Sequence, residues 1–166
     1  MNRLVQALAL ATAIALGFWL FRTLFPNDVD AIRKRLTEMA ADASFDSSEA
    51  PLTKMSKAGK LAGYFTVDAE INIKPWGYRE VSVNGRTEIR QAAVGARSTV
   101  DSLKISVDRA DVTVSDDRDS AQVLLSLTAV SSRQSEPWKE GIQIQMRRID
   151  GDWLISRVAN REVIRQ

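Results

Sequence analysis

From Leu103 onward the chain alternates. Apolar residues fall at every second position in four runs: Leu103, Ile105 and Val107; Val123, Leu125, Leu127 and Ala129; Ile142, Ile144 and Met146; Trp153 and Ile155. This period of two predicts four strands, each with one buried face and one wet face. Asp150-Gly151 divides the last two runs and signals a two-residue hairpin. Asp116–Ser120 supplies an earlier turn, and Ser131–Pro137 is expected to form a longer one. The C-terminal third is thus an antiparallel meander whose apolar face needs a cover.

The preceding chain offers that cover. Asn27 and Asp28 provide capping oxygens, and Val29, Ile32, Leu36, Met39 and Ala43 recur at helical spacing. Ser44–Pro51 reads as a loop whose Ser47 or Ser48 caps a second helix, with Leu52, Met55, Gly59 and Ala62 as its apolar stripe. From Phe65 the period changes to two, with Phe65, Val67, Ala69, Ile71 and Ile73 on one face and Asp68 and Glu70 on the other. Pro75-Trp76-Gly77 turns the chain, and Tyr78–Val83 returns as a strand. After Asn84-Gly85, Thr87–Val100 reads as a third helix facing inward through Ile89, Ala92, Ala93, Ala96 and Val100.

Ahead of all this, residues 4–21 carry no charge, with only Gln6 and Thr12 clearly polar. Eighteen helical residues rise about 27 Å, and continuing to Phe25 spans a hydrocarbon core of about 30 Å. Phe18, Trp19, Phe21 and Phe25 fall where an interfacial aromatic belt would sit. The competing reading is a signal peptide cut after Ala15-Leu16-Gly17, which would leave Phe18-Trp19-Leu20-Phe21 as the new terminus. The expectation is an uncleaved anchor over 1–25 and one domain over 26–166. Arg22, Arg33, Lys34 and Arg35 after the segment favour a cytoplasmic domain by the positive-inside count. The short positive tail of Met1 and Arg3, with Asp28 and Asp30 close behind, favours an exported one, and the exported side is the expectation adopted.

The order helix, helix, strand, strand, helix, four strands resembles the nuclear transport factor 2-like superfamily, or cystatin-like cone fold. The resemblance covers Pro26 to about Val163, through the segments LAGYFTVDAEINI, NGRTEIRQAAVGA and DGDWLISRV. It implies an α+β domain, a cone of three helices on a curved, mostly antiparallel six-stranded sheet, and the transmembrane helix read from residues 4–25 would precede it. It also implies a pocket between sheet and helices. Members of that superfamily include isomerases, dehydratases, hydrolases and binding modules, so fold alone does not choose a function.

Charge and composition then remove options. The 166 residues hold 23 basic and 21 acidic side chains; without Arg3 and Arg22 the balance after Pro26 is 21 against 21. No net positive field remains to attract nucleic acid. The absence of cysteine and histidine removes disulfides, thiolate nucleophiles, imidazole bases and Cys/His zinc sites. Nothing resembles a phosphate loop, a glycine fingerprint or an EF-hand, and the Asp116-Asp117-Arg118-Asp119 cluster lacks calcium-loop spacing. No metal and no cofactor is expected.

Glu140 is the one acid that alternation places on the apolar side, in a row with Ile142, Ile144 and Met146. It is the candidate acid/base of an enzyme reading, against the plainer reading of a solvated rim carboxylate. Trp76 and Trp138, large aromatics beside turns, are candidates for gripping a partner or ligand, with Tyr78 as a hydrogen-bond donor at the cone mouth. Arg157, Arg161 and Arg165 read as a solvated basic edge. The expectation is a membrane-tethered, non-catalytic module that binds a protein partner in the cell envelope or pairs with itself through the sheet. The alternative is a small-ligand binder, or an isomerase- or dehydratase-like enzyme, that uses the cone pocket.

Overall fold

The computed structural model describes residues 27–74 and 80–160. Helices α1 (Asp28–Ala43) and α2 (Pro51–Ala62) lead into strand β1 (Phe65–Ile73) and the short β2 (Val81–Asn84). Helix α3 (Gly85–Thr99) follows, then β3 (Leu103–Val114), β4 (Ser120–Ser131), β5 (Gln134–Ile149) and β6 (Asp152–Asn160). One six-stranded sheet runs in the order β2-β1-β6-β5-β4-β3. β1 joins β6 in parallel and the other neighbours are antiparallel. The expected α+β architecture, three helices on a six-stranded mixed sheet, is present. The proposed anchor over 1–25 lies outside the described residues, and no helix among those described is long and apolar enough to cross a membrane.

The core forms where the alternating faces of β4, β5 and β6 meet α1. Ile32, Leu36, Val123 and Ile144 are fully buried, with Met146 and Ile155 beside them. α1 starts as its sequence dictates: Asn27 Oδ1 accepts from the Val29 amide at 3.2 Å. It is pinned to the sheet by Arg33 Nε, which donates to the Ala110 carbonyl at 3.2 Å. The β5–β6 turn places Asp150 at φ 53° and Gly151 at φ 88°, the left-handed pair that a two-residue hairpin requires. Gly85, at φ 77°, lets α3 begin immediately after β2, and a side chain there would meet the Val67 carbonyl at 3.2 Å.

Five expectations need correction. α2 buries Ala58 and Ala62 and leaves Leu52 and Met55 outside, because the small alanines permit a closer approach to the neighbouring helices than the longer stripe would. Its N-cap is Ala50, with no side-chain cap; Ser48 bonds Asp46 instead. On β1 the strict alternation breaks: Thr66 is buried and Val67 is 74% exposed, since the pairing with β6 shifts register between Phe65 and Glu70. α3 turns Ile89, Ala93 and Arg97 into the core and leaves Ala92 exposed, while Ala96 and Val100 face a cavity rather than packed side chains. The fifth concerns Ser131–Pro137, where only residues 132 and 133 turn and Pro137 lies inside β5. Proline, lacking an amide donor, fits there because residues 135–137 of β5 stand opposite Val130 alone, between the Ala129–Trp138 and Ser131–Gln134 pairs.

Candidate functional site: the cone cavity

Between the inner face of the sheet and the end of α3 lies a cavity of about 390 Å³. Leu127, Ala129 and Ile142 form its sheet wall, Leu103 and Ile105 continue it on β3, and Phe45 closes one side. Each wall residue follows from the strand period. The ladder sets Leu127 opposite Glu140 and Ala129 opposite Trp138, so all four share the inner face.

Glu140 and Trp138 both line this cavity, half-buried. The carboxylate does not simply reach out to solvent at a rim. Its Oε1 accepts from Asn160 Nδ2 at 3.2 Å. Asn160 is itself fixed by the backbone at the end of β1: Nδ2 also donates to the Lys74 carbonyl at 3.4 Å, and Oδ1 accepts from the Lys74 amide. Arg133 lines the cavity as well, and its Nη2 donates to the Thr99 carbonyl at 2.6 Å, capping the last turn of α3. Trp76 and Tyr78 lie outside the described residues.

Sequence reasoning missed Asn160, Arg133 and Phe45. Asn160 faces inward because the β5–β6 pairing slips between Gln145 and Met146, which carries the inner row from Ile155 to Val158 and Asn160. A bulge of that kind leaves no mark in an apolar pattern. Phe45 sits in a segment read as loop, but its backbone bridges Leu103 on β3 through two hydrogen bonds of 2.8 and 2.9 Å.

The wall behind Phe45 is held by charge. Arg97, 5% exposed, lies over the Phe45 ring at 5.2 Å and donates to the Asp42 carbonyl. Burial lowers its pKa below the ordinary arginine value, against the pull of Glu49 and Asp42. The Asp42 carboxylate takes hydrogen bonds from Tyr64 Oη at 2.7 Å and Lys60 Nζ at 3.2 Å. Burial acts to raise its pKa, and the bonds from Lys60 and Tyr64 outweigh that and lower it. The same burial and the Asp42 bond push Tyr64 up to about 12. These groups stiffen the scaffold and lie outside the cavity lining.

Chemically, the cavity offers hydrocarbon walls with one carboxylate and one guanidinium among its described lining. A carboxylate can accept from a ligand's hydroxyl or ammonium group. Among the described residues no three acidic side chains gather as a metal site would require.

No family model and no curated protein matches the chain at the level of sequence. Solved structures do. A protein of unknown function with a cystatin-like fold from Nostoc punctiforme aligns at 17% identity and TM-score 0.60, covering 82% of this chain and 91% of that one. A proposed scytalone dehydratase from Novosphingobium aromaticivorans gives 15% identity and TM-score 0.60, covering 80% and 81%. The yeast UBP3-associated protein BRE5 gives 17% identity and TM-score 0.62, covering 82% and 97%. At such identities the likeness concerns architecture alone, and the three differ in what they are named for. The chain has a cystatin-like fold, the architecture it shares with these solved structures.

Proposed function

We propose that this protein is a membrane-tethered, non-catalytic binding module whose cone cavity takes an apolar group bearing a hydroxyl or ammonium. One observation carries the reading: the cavity is walled by hydrocarbon, and its one described carboxylate, Glu140, is already engaged by Asn160. At about 390 Å³ the cavity lies within the range of about 300–1,000 Å³ in which small-molecule sites fall. The group recognised belongs to a small ligand or to an envelope protein that inserts a side chain, and Trp138 supplies aromatic contact. General acid/base catalysis needs a proton-transfer group within hydrogen-bond reach of the substrate, and the one carboxylate of the described lining already accepts from Asn160. Arg133, always charged, is a poor proton carrier. Residues 4–25 supply the tether, with the domain on the exported side.

The test is a thermal-shift panel of apolar amines and alcohols on the purified chain. Stabilisation should occur with wild type, shrink with Glu140→Gln, and vanish with Leu127→Trp, which fills the cavity. Stabilisation that survives Leu127→Trp would contradict the site. A turnover that falls by about 10²–10⁴-fold in a folded Glu140→Gln protein would establish the enzyme reading instead.

A further inference from the structure

The cone cavity carries its two charged lining groups at different ends. The β4–β5 ladder sets Glu140 opposite Leu127 and Gln134 opposite Ser131, and Arg133 lies in the turn just beyond Ser131. From Leu127 to Ser131 the strand β4 advances about 13 Å, at about 3.3 Å per residue. Between those two rows Trp138 stands opposite Ala129, so the middle of the wall is apolar.

Each charge is held by a neutral group. Arg133 Nη2 donates to the Thr99 carbonyl, and Glu140 Oε1 accepts from Asn160. A carboxylate that has accepted one hydrogen bond keeps further lone pairs, and a guanidinium that has donated one keeps further N–H groups. A carboxylate turned towards hydrocarbon without a counter-charge is costly, and an occupant that supplies the counter-charge relieves it. Arg133 is exposed and Glu140 half-buried, so the cation marks the open end and the carboxylate the inner one. An occupant that answers both groups is anionic at the mouth and apolar along Trp138, with its hydroxyl or ammonium inside.

We propose that the cavity binds an elongated amphiphile of the ω-amino or ω-hydroxy acid class, its carboxylate on Arg133 and its far polar group on Glu140. The inference rests on the cavity reading above and narrows it to a ligand class. A molecule with both polar groups at one end reaches one charge and leaves the other unanswered. The site therefore reads the separation of the groups as well as their presence. If Arg133 served only to cap α3, its removal would not alter the choice of ligand.

The full chain in zwitterionic lipid nanodiscs is titrated with ω-aminooctanoic acid, α-aminooctanoic acid and octylamine, and partition into empty discs is subtracted. The methyl signals of Ile105 and Ile142, which line the cavity, report occupancy. Arg133→Gln should weaken ω-aminooctanoic acid about fivefold, the upper end for an ion pair at an exposed guanidinium. The same variant should leave octylamine, which has no carboxylate, and α-aminooctanoic acid unaffected. Salt should narrow the difference between wild type and Arg133→Gln, and Arg133→Lys should restore part of it. An ω-aminooctanoic acid affinity indifferent to Arg133→Gln would overturn recognition at two ends. So would an equal loss for the α isomer. In either case octylamine shifts abolished by Leu127→Trp would leave the cavity reading standing. Ile105 and Ile142 signals unmoved by all three compounds would overturn both.

Discussion

Trp153 closes the end of the core opposite the cavity, and its replacement tests the assignment of faces. The side chain is 4% exposed, and its Nε1 donates to the buried Asp28 carboxylate at 3.4 Å. The same oxygen accepts from Arg148 Nη1 at 3.4 Å, and that guanidinium lies over the indole at 5.9 Å. Burying about 200 Å² of indole is worth about 5 kcal/mol at about 25 cal/mol per Å². The long hydrogen bond and the cation–π contact add about 1 kcal/mol between them. Partial collapse of the vacated space offsets some of this, so Trp153→Ala should cost about 3–5 kcal/mol. Trp153→Phe keeps most of the ring area and leaves Asp28 its contact with Arg148, so it should cost about 1–2 kcal/mol. Urea unfolding of the full chain in mild detergent, followed by far-UV circular dichroism, measures both. Val67→Ser, on an exposed position of β1, should stay within about 0.5 kcal/mol. A Trp153→Ala cost near that of Val67→Ser, or equal costs for the alanine and phenylalanine variants, would refute the packing described.

Three further outcomes follow from particular groups. Gly151 has φ 88°, and a Cβ added there would stand in open space, so Gly151→Ala should destabilise by about 1 kcal/mol through backbone strain alone, seen as a lower urea midpoint with unchanged slope. Because Tyr64 is pushed up to about 12 from 10.0, its contribution is complete below pH 10 and is lost as pH rises towards 12; Tyr64→Phe should flatten that alkaline loss in a thermal-melt series. Asp42 lies below its usual 3.8, so its contribution is present above that pH and disappears as pH falls through the lowered value; Asp42→Asn should remove this acid limb.

The strand meander was legible because a period of two over Val123–Ala129 and Ile142–Met146 has no other physical reading, and Asp150-Gly151 fixed its turn. Glu140 was placed on the inner face by the same parity, whereas Trp138, read as an aromatic beside a turn, proves to share that face. What stayed hidden were the register breaks. The slip in the β1–β6 pairing exposed Val67 and buried Thr66, and the slip at Gln145/Met146 brought Asn160 to Glu140. Bulges depend on the partner strand, which a single strand's pattern does not contain. The α2 stripe was misread for a related reason. Leu52 and Met55 have the spacing of a core face, yet helix packing selected the alanines.

The central claim, that the cone cavity is a binding site, is tested most directly by methyl NMR of the full chain titrated with an apolar amine that stabilises it. The methyl groups of Leu127, Ile105 and Ile142 line the cavity, whereas Leu124 and Val130 lie on the other face of β4. Saturable shifts confined to the first group, lost in Leu127→Trp, are the predicted result. Shifts confined to Leu124 and Val130, with Ile105 and Ile142 unmoved, would contradict it.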